Sequence, residues 1–565
     1  MPLPELDPAS IADERLRAAV VALLNVVATL TAEWREARAE IERLRDENNR
    51  LKGEQGKPDV QPNTARPAAT DHSSERERHT PKPWSKGRKI ALLAVDREEV
   101  CTVDPATLPP DAVCKGDDDV IVQDLILRTD TIRFRKETFY AASTGKRYRA
   151  SLPPGYGGQF GPELRSLVLA LYYAGLMSEP KILDLVRSLG IQLSAGGVSN
   201  LVIQEQDVFH AEKAALYRAG LSRRPWQHLD DTSTRVAGQS QVCHIVCTPL
   251  VTASFTLPGK ERLSVIAVLR DRQPRAFRLN AEAVTYLART QLAATTLRVL
   301  APVVEERDLD DAGLGALLAT HRPTRGPQAQ QWIRDATAVA AYHAMLGFPV
   351  LQLLLCDDAP QFKGVTEDLS LCWSHAGRHF KKRTPFVPAP QVLLAAFQTR
   401  FWSYYCELLA YQVQPTPTEA ERLAAAFDAL FTTTTGDQAL DDRIAATRAH
   451  KAGLLLLLQH PAHAPASLQP ALPLHNNPAE RGARPRVRTR DVRFGPQTET
   501  GRYCWDTFGS LVETVKKLGV SVHAYFADRV RQTGIVPRLD ARITQQAAVL
   551  NLGASWTAAR SSASF

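Results

Sequence analysis

The sequence has no pair of cysteines at CxxC spacing; its eight cysteines stand at positions 101, 114, 243, 247, 356, 372, 406 and 504. That speaks against a disulfide framework and against a complete four-cysteine zinc site. A leader with a basic start and an apolar centre is also missing, since the opening MPLPELDPASIADERLR is acidic. No uninterrupted apolar run is long enough to span a bilayer, and LLLLLQ at 454–459 is far too short. A reducing cytoplasm without membrane attachment is the expected location. A large excess of one charge is absent as well: the formal charge is +8 and the pI about 9.0, which favours an acidic partner without requiring one. At 44% hydrophobic and 23% charged residues over 565 positions, the composition is that of a soluble chain with several domains.

What is present begins with a heptad. Leu16, Val20, Leu23, Val27, Leu30, Trp34, Ala37, Ile41, Leu44, Asn48 and Leu51 follow one another at alternating steps of four and three. β-Branched residues at a, leucine at d and one asparagine at a favour a parallel dimer, so residues 1–55 read as a coiled coil. Residues 56–88 are rich in Pro, Gly, Ser and charge and read as a disordered linker. Over 89–150, short alternating runs such as VIVQDLILRT and TIRFRKETFYAA predict a small β-rich module. Residues 151–215 turn helical, and ILDLVRSLGIQLSAGGVSNLVIQ reads as helix, turn and helix with Ser194 as a cap. Such a pair can seat its second helix in a DNA major groove.

From 216 to 385 strands and helices alternate. PWQHLDDTST is expected as a strand ending in acids, QVCHIVCTPL and RLSVIAVLR as further strands, and DATAVAAYHAMLG as a helix. FPVLQLLLCDD is an almost wholly apolar run closed by two aspartates, as in a buried central strand. A helical insertion over 386–470 separates it from the next candidate site, and 471–535 supplies further helices before a loosely ordered tail at 536–565.

Three acidic positions could carry chemistry: Asp230 or Asp231, Asp357 or Asp358, and Glu480. Asn477 is a candidate cap for the helix of Glu480, with Pro478 in its first turn. Acids gathered at strand ends repel unless a cation lies between them, and divalent ions also activate water or a 3′-hydroxyl against a phosphodiester. Around Glu480 stand Arg481, Arg484, Arg486, Arg488, Arg490 and Arg493, with only Asp491 as a second acid. Guanidinium groups in that excess suit phosphate oxygens and should lower the pKa of nearby acids. Cys372, His375 and His379 share a helix, yet no fourth ligand is near. Trp373 and Phe380 are therefore expected in the core, with His375 and Arg378 toward the active site or DNA.

From about residue 90 to 530 the chain resembles transposases of the insertion-sequence 66 family. The resemblance rests on Asp230-Asp231-Thr232 for the family's D-E-T, and on Asp357 after an apolar strand. It rests further on the stretch Cys372 to Phe380 for C-W-x-H-x-x-R-x-F, and on Asn476, Asn477, Glu480, Arg481 and Arg484 for N-N-x-x-E-R-x-x-R. Tyr525 to Val530 close the pattern. It implies an α/β ribonuclease-H-like catalytic core with a helical insertion. Asp230, Asp357 and Glu480 would be both catalytic residues and ligands of two Mg²⁺ or Mn²⁺ ions. His375, Arg378, Arg481, Arg484, Arg488 and Arg490 would contact DNA.

The chain departs from the family where R-K-N becomes Arg490-Asp491-Val492, and where Cys101 and Cys114 alone remain of a zinc-binding set. The implied function is metal-dependent cleavage and strand transfer on double-stranded DNA, terminal inverted repeats and target. A homodimer would act at the nucleoid, with accessory proteins as further partners. A metal-dependent nuclease without strand transfer and an inert DNA-binding regulator are the rival readings.

Overall fold

The computed structural model describes residues 11–51, 95–104, 107–109, 112, 120–222, 226–303, 306–321, 326–385, 387–459, 472–550 and 552. Helix α1 (Glu14–Leu51) leaves its heptad seam uncovered: Leu16, Leu23, Leu30, Trp34, Ile41 and Leu44 are all exposed. Polar contacts tie it to the chain, among them Asn25 donating to the Gly436 carbonyl at 2.9 Å and Arg35 to the Thr384 carbonyl and hydroxyl, both at 2.8 Å. By length and composition alone, Glu14–Arg38 is apolar enough to cross a membrane. The side chains of Asn48 and Leu51, the linker at 56–88 and Cys114 lie outside the described residues.

The β-rich expectation for 89–150 reduces, among the described residues, to one hairpin, β1 (Thr138–Ala141) with β2 (Lys146–Arg149). Val120 and Val122, and Ile132 and Phe134, alternate as a strand would but lie exposed and outside any ladder among the described residues. Alternation favours the extended backbone; only a neighbouring strand makes a sheet of it.

Helices α2 (Pro162–Leu169), α3 (Glu179–Ser188), α4 (Ala195–Ile203) and α5 (Asp207–Ser222) follow. Ser194 does cap α4, its hydroxyl accepting from the Gly197 N–H at 3.0 Å. α4 itself carries no Lys or Arg. Val168, Ile182, Val198 and Leu216 of these helices share one core with Leu229, Val246 and Phe255 of the main sheet.

That sheet has five strands: β3 (Trp226–Val236), β4 (Gln239–Cys247), β5 (Thr252–Leu257), β6 (Leu353–Cys356) and β7 (Asp368–Leu371). Their spatial order is β5-β4-β3-β6-β7; β4 runs antiparallel to both β3 and β5, while β6 and β7 run parallel to β3. The acids expected at the end of β3 lie in its middle. Thr232–Val236 keep pairing with β4 up to a turn where Ala237 and Gly238 both take positive φ. Only Trp226–His228 pair with β6, so Asp230 stands just beyond the point where the parallel ladder stops.

A second correction concerns Arg262–Leu269, expected as a strand and found as helix α6. Leu263, Val265, Ile266, Val268 and Leu269 are buried there, and a run apolar on every side has no period to separate helix from strand. Helices α7 (Ala281–Ala288), α8 (Ala294–Leu300), α9 (Asp311–His321) and α10 (Pro327–His343) complete this layer. Leu279, Leu287, Leu300, Ile333 and Ala340 give it a small core of its own.

After β7 come α11 (Trp373–Lys381) and the insertion: α12 (Pro388–Val413), α13 (Pro417–Phe431), α14 (Gln438–Arg448), α15 (Lys451–Leu454) and α16 (Leu456–Gln459). Trp373 and Phe380 pack with Phe401, Tyr404, Leu408, Phe427 and Leu440 in a second core that docks the insertion beside β6 and β7. The chain then returns through α17 (Asn477–Arg493), α18 (Glu499–Lys517) and α19 (Val522–Arg531). The tail, expected to be loose, forms α20 (Leu539–Val549), which buries Leu539, Ile543 and Ala547 in the main core.

Candidate active site

Three elements converge at the open edge between β3 and β6. Helix α17 lies flat on the sheet because its inner face is small: Ala479, Gly482 and Ala483 are buried, and the two alanines pack with Cys243, Ile245 and Cys247. A Cβ on Gly482 would stand 2.9 Å from Ile245 Cγ2 and 3.0 Å from Cys247 Sγ, so glycine sets the closeness of the helix. Glu480, beside that face in the first turn, consequently looks over the edge of the sheet.

Asn476 fastens the helix start. The sequence offers Asn477 as cap, but Asn477 is already helical; Asn476 is the cap residue and its side chain makes no capping bond. Fully buried, it donates to the Leu229 carbonyl at 2.7 Å and pairs through Oδ1 with His228 Nδ1 at 3.2 Å. Its backbone N–H points to Cys372 Sγ at 3.1 Å. One residue thereby joins the strand before Asp230, the start of α11 and the helix of Glu480. Sequence reasoning placed Asn476 in a motif but gave it no role; the pairing of two asparagines before a proline was the available signal.

Asp230 and Asp231, as neighbours on a strand, face opposite sides of the sheet. Asp231 accepts from Gln361 Nε2 at 3.2 Å, whereas Asp230 is the one that feels the charges of both Glu480 and Asp357. Burial pushes the Asp230 carboxyl up to about 7. The Asp231 backbone N–H, donating to Oδ1 at 2.9 Å, opposes this, and the charges of Glu480, Asp357 and Asp231 add to it. Arginines were expected to hold nearby acids low; for Asp230, burial outweighs any such help. Asp357 follows β6 directly, with Oδ1 accepting from the Ala359 N–H at 3.2 Å. Its neighbour Asp358 is engaged elsewhere, with Lys363 at 3.1 Å and His450 at 2.9 Å. Of each aspartate pair, the first belongs to the cluster with Glu480.

Glu480 is gripped by Arg378, whose Nη2 donates to its two carboxylate oxygens at 2.8 and 2.7 Å, with His375 Nε2 at 3.6 Å. Both partners come from the outer face of α11, opposite the buried Trp373 and Phe380.

The remaining arginines divide. Arg481, Arg484 and Arg488 are exposed along α17. Arg486 turns inward, stacking on Trp505 and meeting Asp506 at 3.4 Å. Arg490 donates to the Ser233 carbonyl at 2.6 Å, and Arg493 lies 3.9 Å from the ring centre of Tyr172. The excess of arginine over acid is therefore partly structural, because Asp506, outside the stretch, answers for one of them.

Among the described residues, no three His, Cys, Asp or Glu side chains are gathered for one metal ion. The donor chemistry nevertheless fits hard divalent cations: Asp230, Asp357 and Glu480 interact through their charges, and burial raises the carboxyl of Asp230.

The chain resembles an uncharacterized protein, y4jO, of Sinorhizobium fredii. The two are 28% identical over 340 residues, which is 56% of this chain and 96% of that protein. No family model and no solved structure matches the chain.

Proposed function

We propose that this protein is a DNA transposase, cutting and joining DNA strands by metal-dependent phosphodiester chemistry at Asp230, Asp357 and Glu480. One observation carries the reading: Asp230 feels the charges of Glu480 and Asp357, acids far from it in the chain, beside a helix that presents Arg481, Arg484 and Arg488 to solvent. A sheet of three antiparallel strands extended in parallel by two more supports a ribonuclease-H-like core.

Held by the three carboxylates, two Mg²⁺ or Mn²⁺ ions would supply the Lewis acidity for hydrolysis at the element end and for attack by the freed 3′-hydroxyl on target DNA. The chain's own residues do the rest. Arg481, Arg484 and Arg488 bind backbone phosphates and set the strand along α17. Asn476 holds the Asp230 strand and the Glu480 helix in register. Arg378 offsets the charge of Glu480, with His375 beside it, until the carboxylate is needed, and Arg378 is then released toward phosphate.

The test is a cleavage and joining assay with the purified protein, Mg²⁺ or Mn²⁺, and labelled DNA carrying the ends that flank its gene. Wild type should nick and join, while Glu480→Gln should bind the same DNA and do neither. Nicking without joining would favour a nuclease, and equal binding without cleavage by either protein would favour a regulator.

A further inference from the structure

The helical insertion does more than lengthen the chain between Asp357 and Glu480. Between α11 and α14 lies a cleft of about 470 Å³, large enough for a nucleotide. Its polar wall is Arg378, Lys382 and Arg443 with the imidazoles of His375, His379 and His450, while Asp357 and Asp358 stand at the end nearest the sheet.

The wall holds donors that its own acids leave unmet. Among the described contacts, the Arg443 side chain has no hydrogen bond, and its Nε is wholly covered without a partner. His375 Nδ1 is likewise covered and unpartnered. Burial pushes the pKa of Arg443 down, with only Asp358 opposing. Burial does the same to His379, and the nearby Arg443 and Lys382 add to it. A covered guanidinium nitrogen and a covered imidazole nitrogen are costly to keep without a partner, and an anion in the cleft would complete them. Arg378 belongs both to this wall and to Glu480, so an anion here sits next to the carboxylate cluster.

We propose that the cleft between α11 and α14 binds a phosphate of the DNA strand that continues past the reacting phosphodiester, making the insertion a strand-holding element. Phosphate suits this wall better than a carboxylate would, because guanidinium, ammonium and imidazole donors approach from several sides and a phosphate has several free oxygens to meet them. The assignment of the strand rests on the proposed reaction at Asp357; the anion site itself does not.

Binding can be read without chemistry. The full chain in EDTA is titrated against a fluorescein-labelled thymidine octanucleotide by anisotropy, with inorganic phosphate as competitor. Lys382 is exposed, so Lys382→Glu should leave the fold intact; Arg443→Gln is the second variant, and thermal unfolding reports on both. Arg298→Glu, at an exposed position of α8 outside the cleft, repeats the charge change of Lys382→Glu. Each cleft variant should weaken binding more than tenfold, Arg298→Glu less than threefold, and phosphate should compete only with wild type. The proposal falls if wild type does not bind, if either cleft variant binds within twofold of wild type, or if Lys382→Glu loses no more than Arg298→Glu. Should the cleft variants lose the strand while wild type never cuts DNA, the anion site stands and the reaction assigned to Asp357 falls.

Discussion

Asp230 is held against its own charge, and that has a measurable cost. Burial first, then the charges of Glu480, Asp357 and Asp231, raise its carboxyl from an ordinary 3.8 to about 7. Below pH 4 the folded and unfolded chains both keep the proton, so nothing is lost. Between pH 4 and 7 the unfolded chain alone ionises, and folded stability falls as pH rises, levelling off above 7. A gap of that size corresponds to about 4 kcal/mol at most, less for a half-buried group. Asp230→Asn removes the titration. In EDTA its apparent melting temperature should exceed that of wild type by about 3–6 °C at pH 8, and by roughly half as much at pH 5.5. Mg²⁺ should raise wild type at pH 8 and leave the variant nearly unmoved. An Asn variant no more stable than wild type at pH 8 would show that the carboxyl is not under this strain. Arg378 invites a companion measurement. Because it occupies Glu480, Arg378→Gln should bind Mn²⁺ more tightly in calorimetry while holding DNA less well; unchanged Mn²⁺ affinity would show that the pair does not compete with ions.

Among elements, α17 decides the site, and its position depends on a residue without a side chain. The Cβ of Gly482→Ala would press on Ile245 and Cys247 in the sheet, which cannot move as a flexible side chain can. Overpacking of this kind costs about 1–3 kcal/mol, and the helix must lift, taking Glu480 with it. The variant should melt lower and lose cleavage while keeping DNA affinity. Gly315→Ala in α9, where a Cβ meets nothing within 4 Å, should be neutral or slightly stabilising. If the two alanine variants behave alike, close approach at Gly482 is unimportant. The same helix marks how far the sequence could be read. Pro478, the arginines and the position of Glu480 announce a helix start and a cationic face. The inward turn of Arg486 could not be foreseen, because its partner Asp506 belongs to another element. Alternation located β3 and β4, but the length of β3 is set by its antiparallel partner and not by Asp230 and Asp231. Residues 262–269 lack any period, so their helix is decided by the space between sheet and α10. Asn476 was visible as a letter in a motif, while its work lies in contacts to Leu229, His228 and Cys372 that only the assembled core brings together.

At the scale of the whole molecule, α1 carries an apolar seam that is largely exposed among the described residues. Leu16, Leu23, Leu30 and Trp34 are exposed along one heptad line, a face that isolated helices in water do not keep. A second copy of the chain fits the pattern, with β-branched residues at a and leucine at d closing on themselves in parallel. Pairing also suits the proposed reaction, since joining requires two element ends to be held together. Light scattering after gel filtration should give twice the 62.3 kDa chain mass for wild type and the chain mass itself for the Leu23→Asp, Leu30→Asp double variant. In the DNA assay that variant should still nick a single end, because Asp230, Asp357 and Glu480 all come from one chain. Joining of two ends in one product should fall more than tenfold. A wild type that elutes as a single chain would leave the seam to some other cover, and flotation with liposomes would then test the membrane, since Glu14–Arg38 has the necessary length and composition. A monomeric variant that joins as well as wild type would place the pairing of ends elsewhere in the molecule, on the core or the insertion and not on α1.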